Sequence, residues 1–280
     1  MKARLAVAGI GVPLIFFIVF FLPNWGLTLA VSAMSAMGVH EALASTGMIE
    51  KRRMYICGII FSALIPLWAH WSGDVSLAVF AALVLICLTF AEALASGGAI
   101  STGAVTGHIF FSLFIPLALS VFVQLRKETY WQFYIILPIA IAFISDAGGL
   151  FAGLLFGKHK LAPLISPKKT VEGAVGSLIF GAVAAVGTGF VAQNLIGFSV
   201  SQMSVNYGYL ILYGLVGSVI SQFGDLCFSY VKREFKLKDF GTLFPGHGGI
   251  LDRFDSVIFC APLCLLLMTV LPAVCGDVGG

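Results

Sequence analysis

The chain has 280 residues, of which 59% are hydrophobic and only 10% are charged, and its formal net charge is +3. Soluble domains carry about 25% charged residues, so this composition excludes a water-facing globule, a disordered chain and a soluble nucleic-acid binder. The mean hydropathy of +1.03 instead indicates an all-α polytopic membrane protein.

Apolar runs long enough to cross a bilayer, which needs about 20 residues, follow one another along almost the whole chain. The first run begins with Lys2 and Arg4 and lacks a cleavage motif of small residues, which favours an uncleaved helix over a signal peptide. We predict about nine spans, at residues 5–23, 26–45, 54–71, 75–96, 103–125, 131–156, 174–198, 208–231 and 254–275.

The basic residues are sorted to one side of these predicted spans. Of the 16 lysines and arginines, only Arg126 and Lys127 fall on the opposite side. Because cytoplasmic loops are enriched in Lys and Arg, the N-terminus and the two long polar stretches, 157–173 and 232–253, are predicted to be cytoplasmic.

Acidic residues inside spans are costly, so each calls for a reason. We expect Glu41 and Glu92 to be structural, paired across helices. Asp146 is followed by glycines, which allow another backbone or a ligand to approach it closely. In the eighth span, polar residues at helical spacing would share one face of the helix. That face would either hold a metal and a phosphate or pack against neighbouring helices. The residues of this stripe are Ser221, Asp225, Ser229, Lys232 and Lys236.

The two polar stretches contain further candidates. In residues 232–253, glycines that bring backbone N–H groups against anions lie among cations and aspartates. A solvent-exposed basic segment that only sets membrane topology would not need those glycines. Asp252 and Asp255, three residues apart, are suited to bind Mg²⁺ beside a phosphate. The stretch from Ser166 to Glu172 is open between a phosphate or headgroup site and nonspecific binding of anionic lipid.

The segment from Ser229 to Asp255 resembles the signature of the phosphatidate cytidylyltransferases, also called CDP-diacylglycerol synthases. The stretch Ser166–Gly173 is similar to a second segment of that family, as are the surroundings of Asp146 and of Asp225. The signature residues are Ser229, Lys232, Arg233, Lys238, Asp239, Gly241, Pro245, Gly246, His247, Gly248, Gly249, Asp252, Arg253 and Asp255.

This resemblance implies that CTP and phosphatidate react to give CDP-diacylglycerol and pyrophosphate with the aid of Mg²⁺. It assigns metal ligation first to Asp225 and Asp252 and then to Asp255 and Asp146, and the number of carboxylates leaves room for a second cation. Expected catalytic residues are Asp225, Asp252, Lys232, Arg233, His247 and Arg253. Expected substrate-binding residues are Ser166, Lys168, Lys169, Thr170, Glu172, Ser229, Lys238, Asp239, Gly246, Gly248 and Gly249.

The expected organisation is one membrane-embedded domain, with N-terminal helices over 1–130 and catalytic helices and cytoplasmic loops over 131–280. Its partners would be CTP, phosphatidate and membrane lipids, with no nucleic acid. Small residues in span seven, Gly181, Gly187 and Gly189, leave a homodimer open. A bacterial cytoplasmic membrane with the site on its cytoplasmic side is the expected location.

Other functions would use some of the same phosphate-binding and metal-binding residues. A CTP-dependent lipid kinase, or a cytidylyltransferase for another lipid phosphate, would use the same phosphate and metal groups. A transporter is disfavoured because the acidic residues cluster towards one side instead of being distributed across the bilayer. A purely structural scaffold would not need the segment of glycine, histidine and aspartate.

Overall fold

The computed structural model describes residues 13, 16–49, 51–72, 75–194, 203–243 and 248–276. Within these ranges eight helices are long and apolar enough to cross a membrane, which confirms the all-α polytopic architecture. The predicted span 5–23 lies mostly outside the described residues. The helices are α1 Asn24–Thr46, α2 Arg52–Trp71, α3 Val75–Ala95, α4 Thr102–Leu125, α5 Trp131–Phe156, α6 Val171–Asn194, α7 Tyr207–Glu234 and α8 Leu251–Val270.

Two short antiparallel pairs of strands, which the apolar runs did not predict, connect the later helices. Strand β1, Lys160–Ala162, pairs with β2, Ser166–Thr170, between α5 and α6. Strand β3, Met203–Val205, pairs with β4, Val274–Gly276. Pairing satisfies backbone groups at these helix connections, so such short strands depend on their partners more than on a sequence pattern.

The chain forms two compact units. The first contains Met1–Lys127 and Glu234–Phe254, and the second contains Glu128–Arg233 and Asp255–Gly280. The catalytic half predicted from the sequence, residues 131–280, therefore contributes a segment, 234–254, that packs with the N-terminal helices.

In the first unit, α1, α2 and α4 pack against one another. Buried His108 on α4 hydrogen-bonds through Nε2 to the carbonyl of Met54, at 2.9 Å. Arg126 and Lys127, predicted to lie on the sparsely charged side, have specific partners. Lys127 Nζ donates to the carbonyl of Ala69 at 2.8 Å, and Arg126 donates to the carbonyl of Val19 at 2.6 Å. These donors satisfy carbonyls near helix ends.

In the second unit, α5 and α6 approach closely through small residues. A Cβ at Gly149 would overlap Ser177 Oγ and would lie 3.2 Å from the carbonyl oxygen of Gly173, so only glycine fits there. Gly181 and Gly189, predicted as candidates for an interface between helices, meet Ser218 and Leu210 of this same chain. Small residues thus serve helix packing inside the unit.

Candidate functional site

Three helices of the second unit each contribute one carboxylate to a common cluster. Asp146 comes from α5, Asp225 from α7 and Asp255 from α8, and the three are close enough to interact electrostatically. Gathering three acidic groups within apolar helices is unfavourable unless cations or hydrogen bonds offset their repulsion. The remaining members of the cluster supply that compensation.

Two lysines are the cationic partners of these carboxylates. Lys169 Nζ, from β2, lies 2.5 Å from Asp225 Oδ2, and Lys232 Nζ, from the last turn of α7, lies 3.8 Å from Asp255 Oδ2. Lys232 and Asp255 are both buried, each with 8% of its surface exposed. The cluster therefore combines acidic groups suited to a cation with basic groups suited to phosphate.

Hydroxyl groups complete the cluster. Ser229 Oγ donates to Asp225 Oδ1 at 3.3 Å, and Ser256 Oγ donates to Asp146 Oδ2 at 2.9 Å. Ser221, one turn before Asp225, is fully buried, and its Oγ has no hydrogen-bond partner among the described residues. Ser256 was not among the predicted site residues, and its only signal in the sequence is that it follows Asp255.

The hairpin of β1 and β2 carries most of the predicted residues of the stretch 166–172. Thr170 Oγ1 accepts a hydrogen bond from the Gly173 N–H at 3.1 Å. The Glu172 carboxylate accepts from the backbone N–H groups of Lys158, at 3.0 Å, and His159, at 3.2 Å, and its Oε1 lies 2.6 Å from His159 Nδ1. Thr170 and Glu172 thus tie the hairpin to the start of α6.

The other residues of this hairpin differ in their surroundings. Ser166 pairs with Ala162 in the two-stranded sheet, and Lys168 is exposed. Arg233, at the end of α7, donates from Nε to the carbonyl of Ile165 at 3.1 Å and so holds the hairpin turn. Of the residues predicted in this stretch, Lys169 is the one that contacts the carboxylate cluster.

The first unit contains the glycine-rich loop that leads into α8. Buried Asp252 accepts hydrogen bonds at Oδ2 from the backbone N–H groups of Phe240, at 2.8 Å, Gly241, at 3.2 Å, and Gly249, at 3.0 Å. Gly248 has a φ of 80°, which favours glycine. The Asp252 carboxylate therefore fixes the backbone on both sides of the loop through Oδ2.

The remaining predicted residues of this segment lie at its surface or beyond the described ranges. Lys238, Asp239 and Arg253 are exposed, whereas Gly246 and His247 lie outside the described residues. The predicted stripe on α7 ends earlier than expected. The helix ends at Glu234, and Lys236 has a φ of 56°, so its inclusion in the helical stripe was wrong.

Within the described part of the chain, the expected Mg²⁺ has no site made of many protein ligands. As arranged here, no group of three or more histidine, cysteine, aspartate or glutamate side chains among the described residues could hold a metal ion. Mg²⁺, however, takes one or two carboxylates and completes its shell with water and substrate phosphate. Asp225, which pairs with Lys169 and has a quarter of its side chain exposed, has the chemistry for such a site.

An apolar groove of about 440 Å³ lies elsewhere in the second unit, against α5 and α6. Ile136, Ile144 and Val183 are among its lining residues, and none of the predicted site residues lines it. Because none of the predicted catalytic or binding residues lines this groove, the cluster of carboxylates and lysines remains the candidate site.

Comparison with known proteins gives a consistent result. A model described as the cytidylyltransferase family matches residues 2–271. A protein of Bacillus subtilis named phosphatidate cytidylyltransferase is 31% identical over 96% of this chain and 97% of its own length. A protein of Mycobacterium bovis with the same name is 32% identical over 97% of this chain and 89% of its own. One from Staphylococcus haemolyticus is 40% identical over 48% of each chain.

Proposed function

Because the chain belongs to the cytidylyltransferase family, we propose that it converts CTP and phosphatidate to CDP-diacylglycerol and pyrophosphate. The relatives that match almost its whole length are named phosphatidate cytidylyltransferases. It is thus a CTP-dependent nucleotidyltransferase of phospholipid biosynthesis.

One observation carries this proposal beyond the family name: Asp146, Asp225 and Asp255 are gathered with Lys169 and Lys232 inside a membrane-spanning unit. Transfer between two polyanions requires groups that hold phosphates and groups that hold a cation close together. A phosphatidate headgroup reaches such a cluster from the lipid phase, whereas CTP comes from water.

The reaction needs no protein nucleophile. An oxygen of the lipid phosphate attacks the α-phosphorus of CTP, and the bond from that phosphorus to the bridging oxygen of the β-phosphate breaks, so that pyrophosphate leaves. The lipid phosphate is ionised near neutral pH, so a general base is not required. The protein's contribution is to position the two phosphates in line and to stabilise their charge.

Mg²⁺ would be held by one or two of the carboxylates Asp225, Asp255 and Asp146, with water and substrate phosphate completing its shell. Asp252 stays a predicted ligand on the resemblance alone. When bound, the ion would neutralise phosphate charge and favour departure of pyrophosphate. Lys169 and Lys232 would exchange their carboxylate partners for phosphate oxygens as the substrates enter. This exchange keeps the charges paired in both the free and the occupied site.

The other predicted residues keep the roles that the family resemblance implies. Arg233 and Arg253 would contact phosphate through their guanidinium groups, and exposed Lys238 would add positive charge that attracts an anionic substrate. We place this site on the cytoplasmic side of a bacterial cytoplasmic membrane, as the sorting of basic residues and the bacterial relatives favour.

A single assay tests this function. Purified protein in mixed micelles is supplied with CTP, phosphatidate and Mg²⁺, and both pyrophosphate release and the mass of the lipid product are followed. We expect CDP-diacylglycerol only when all three are present. Release of CDP with a phosphorylated lipid alcohol would instead show a lipid kinase, and no product from folded protein would overturn the proposal.

A further inference from the structure

The first unit contains a second acidic side chain at the glycine-rich loop, besides Asp252. Glu41 lies on α1, 209 residues before Ile250 in the sequence. Its Oε1 accepts a hydrogen bond from the Ile250 N–H at 3.0 Å, and its Oε2 accepts one from the Leu251 N–H at 2.9 Å. Only 8% of Glu41 is exposed. Both carboxylate oxygens of Glu41 therefore bind the backbone where α8 begins.

Two glycines of the signature segment make room for this carboxylate. A Cβ at Gly241 would lie 2.5 Å from Glu41 Oε1, and a Cβ at Gly249 would overlap the Glu41 carboxylate. Neither glycine has a positive φ, so the approach of Glu41, and not an unusual backbone conformation, requires them. Gly249 was predicted to let the backbone approach a phosphate, and in the structure the Glu41 carboxylate lies against it.

Glu41 and Asp252 together bind five backbone N–H groups, those of Phe240, Gly241, Gly249, Ile250 and Leu251. These charged hydrogen bonds lie out of water, where they are stronger than neutral ones. Leu251 is the first residue of α8, the helix that carries Asp255 one turn later. Glu41 thus holds the point from which this helix starts.

We infer that Glu41 is a positioning residue for the reaction: it fixes the glycine-rich loop and the start of α8 without touching substrate. This inference gives the N-terminal helix α1 a direct part in the function of a segment more than 200 residues away. The part of the test that measures turnover rests on the proposed function, and the part that measures exchange of amide protons does not.

The test compares Glu41→Gln with Glu92→Gln, a matched removal of charge from another helix of the same unit. A glutamine side chain keeps the shape of Glu41 but points an N–H₂ group at one of the two backbone donors. We expect the amides of Ile250 and Leu251 to exchange about tenfold to a hundredfold faster, the ratio expected on losing a hydrogen bond to a charged acceptor. Exchange in α2 and α4 should stay as in the wild type.

In the same preparation we expect Glu41→Gln to lower kcat by about tenfold to a hundredfold, because small displacements of reacting groups have effects of this size. Glu92→Gln should change neither quantity. Faster exchange throughout the first unit would show a general role in folding and would overturn the inference. So would equal kcat and equal exchange in the two variants.

A second pair of variants keeps the inference testable if Glu41→Gln is poorly folded. Gly249→Ala places a methyl group against the Glu41 carboxylate, and Glu41→Ala removes that carboxylate. We expect the double variant to show no faster exchange over residues 248–252 than Glu41→Ala alone, because the clash no longer exists. Additive effects would contradict the proposed contact. A wild-type protein without cytidylyltransferase activity would overturn the proposed function and leave this exchange result intact.

Discussion

The carboxylate cluster of the second unit and the glycine-rich loop of the first unit both contain acidic side chains within the protein, but these side chains have different partners. Asp225 and Asp255 face the amino groups of Lys169 and Lys232. Glu41 and Asp252 face backbone N–H groups. A lysine on a flexible stem can leave its partner when phosphate arrives, whereas a backbone donor cannot move without the chain. The first arrangement suits chemistry, and the second suits a scaffold.

The largest expected effect tests the exchangeable arrangement. Asp225→Asn removes the charge that we propose holds Mg²⁺, so turnover should fall by about a thousandfold, the upper range for losing one preorganised electrostatic contact. Membrane insertion and folding should be unchanged. Pyrophosphate release measured beside a Glu92→Gln control checks this. A rate like that of the wild type would remove Asp225 from the metal site.

A smaller effect is expected for the cationic partner. Lys169→Met should lower turnover by about tenfold to a hundredfold, because a charge near the transferred phosphate is lost. Lys160→Met is the matched control, since Lys160 is an exposed lysine on the other strand of the same hairpin and was assigned no role in the site. Steady-state kinetics with both substrates varied separates the two variants. Similar losses in both would indicate a general electrostatic effect of the hairpin.

The scaffold arrangement predicts a change in stability. Asp252→Asn leaves three backbone donors sharing a neutral amide oxygen, which should cost about 1–3 kcal/mol of unfolding free energy. In thermal unfolding in micelles, Asp252→Asn should therefore have a lower Tm than Asp225→Asn, in which relief of repulsion among carboxylates offsets the lost ion pair. A lower Tm for Asp225→Asn than for Asp252→Asn would contradict the assignment of Asp252, and not Asp225, to stabilising the fold.

The smallest effect is expected at the exposed rim of the segment. Asp239 was assigned to substrate binding by the resemblance, but it is exposed, unlike buried Asp252, and this exposure predicts a minor role. Asp239→Asn should alter turnover by less than about twofold, as is usual for surface substitutions. The same pyrophosphate assay checks this. A loss as large as that of Asp225→Asn would show that the aspartates are ranked wrongly.

The sequence predicted the helices well because each span must be a continuous apolar run. The predicted span 131–156 coincides with α5, Trp131–Phe156. It also selected Asp146 and Asp225, since charges inside apolar runs stand out, and Asp255 because it lies three residues from Asp252 in the glycine-rich segment. The structure places these three in one cluster, and their roles stay predictions.

Other features were beyond sequence reasoning. The contact of Glu41 with Ile250 joins residues 209 positions apart, and no spacing rule predicts such a pair. The short hairpin of β1 and β2 depends on pairing between strands, which has only a weak local signal. Lys236 follows Lys232 by four residues and so matched the helical spacing, but the helix ends at Glu234.

The most direct test of the central claim measures metal binding without turnover. Mn²⁺, a paramagnetic substitute for Mg²⁺, is titrated into purified wild-type protein, Asp225→Asn and Glu92→Gln, and bound ion is followed by electron paramagnetic resonance. We expect the wild type and Glu92→Gln to bind Mn²⁺ alike and Asp225→Asn to bind it at least about tenfold more weakly, since a charged oxygen ligand is lost. Equal affinity in Asp225→Asn would contradict the claim that the carboxylates paired with lysines hold the metal.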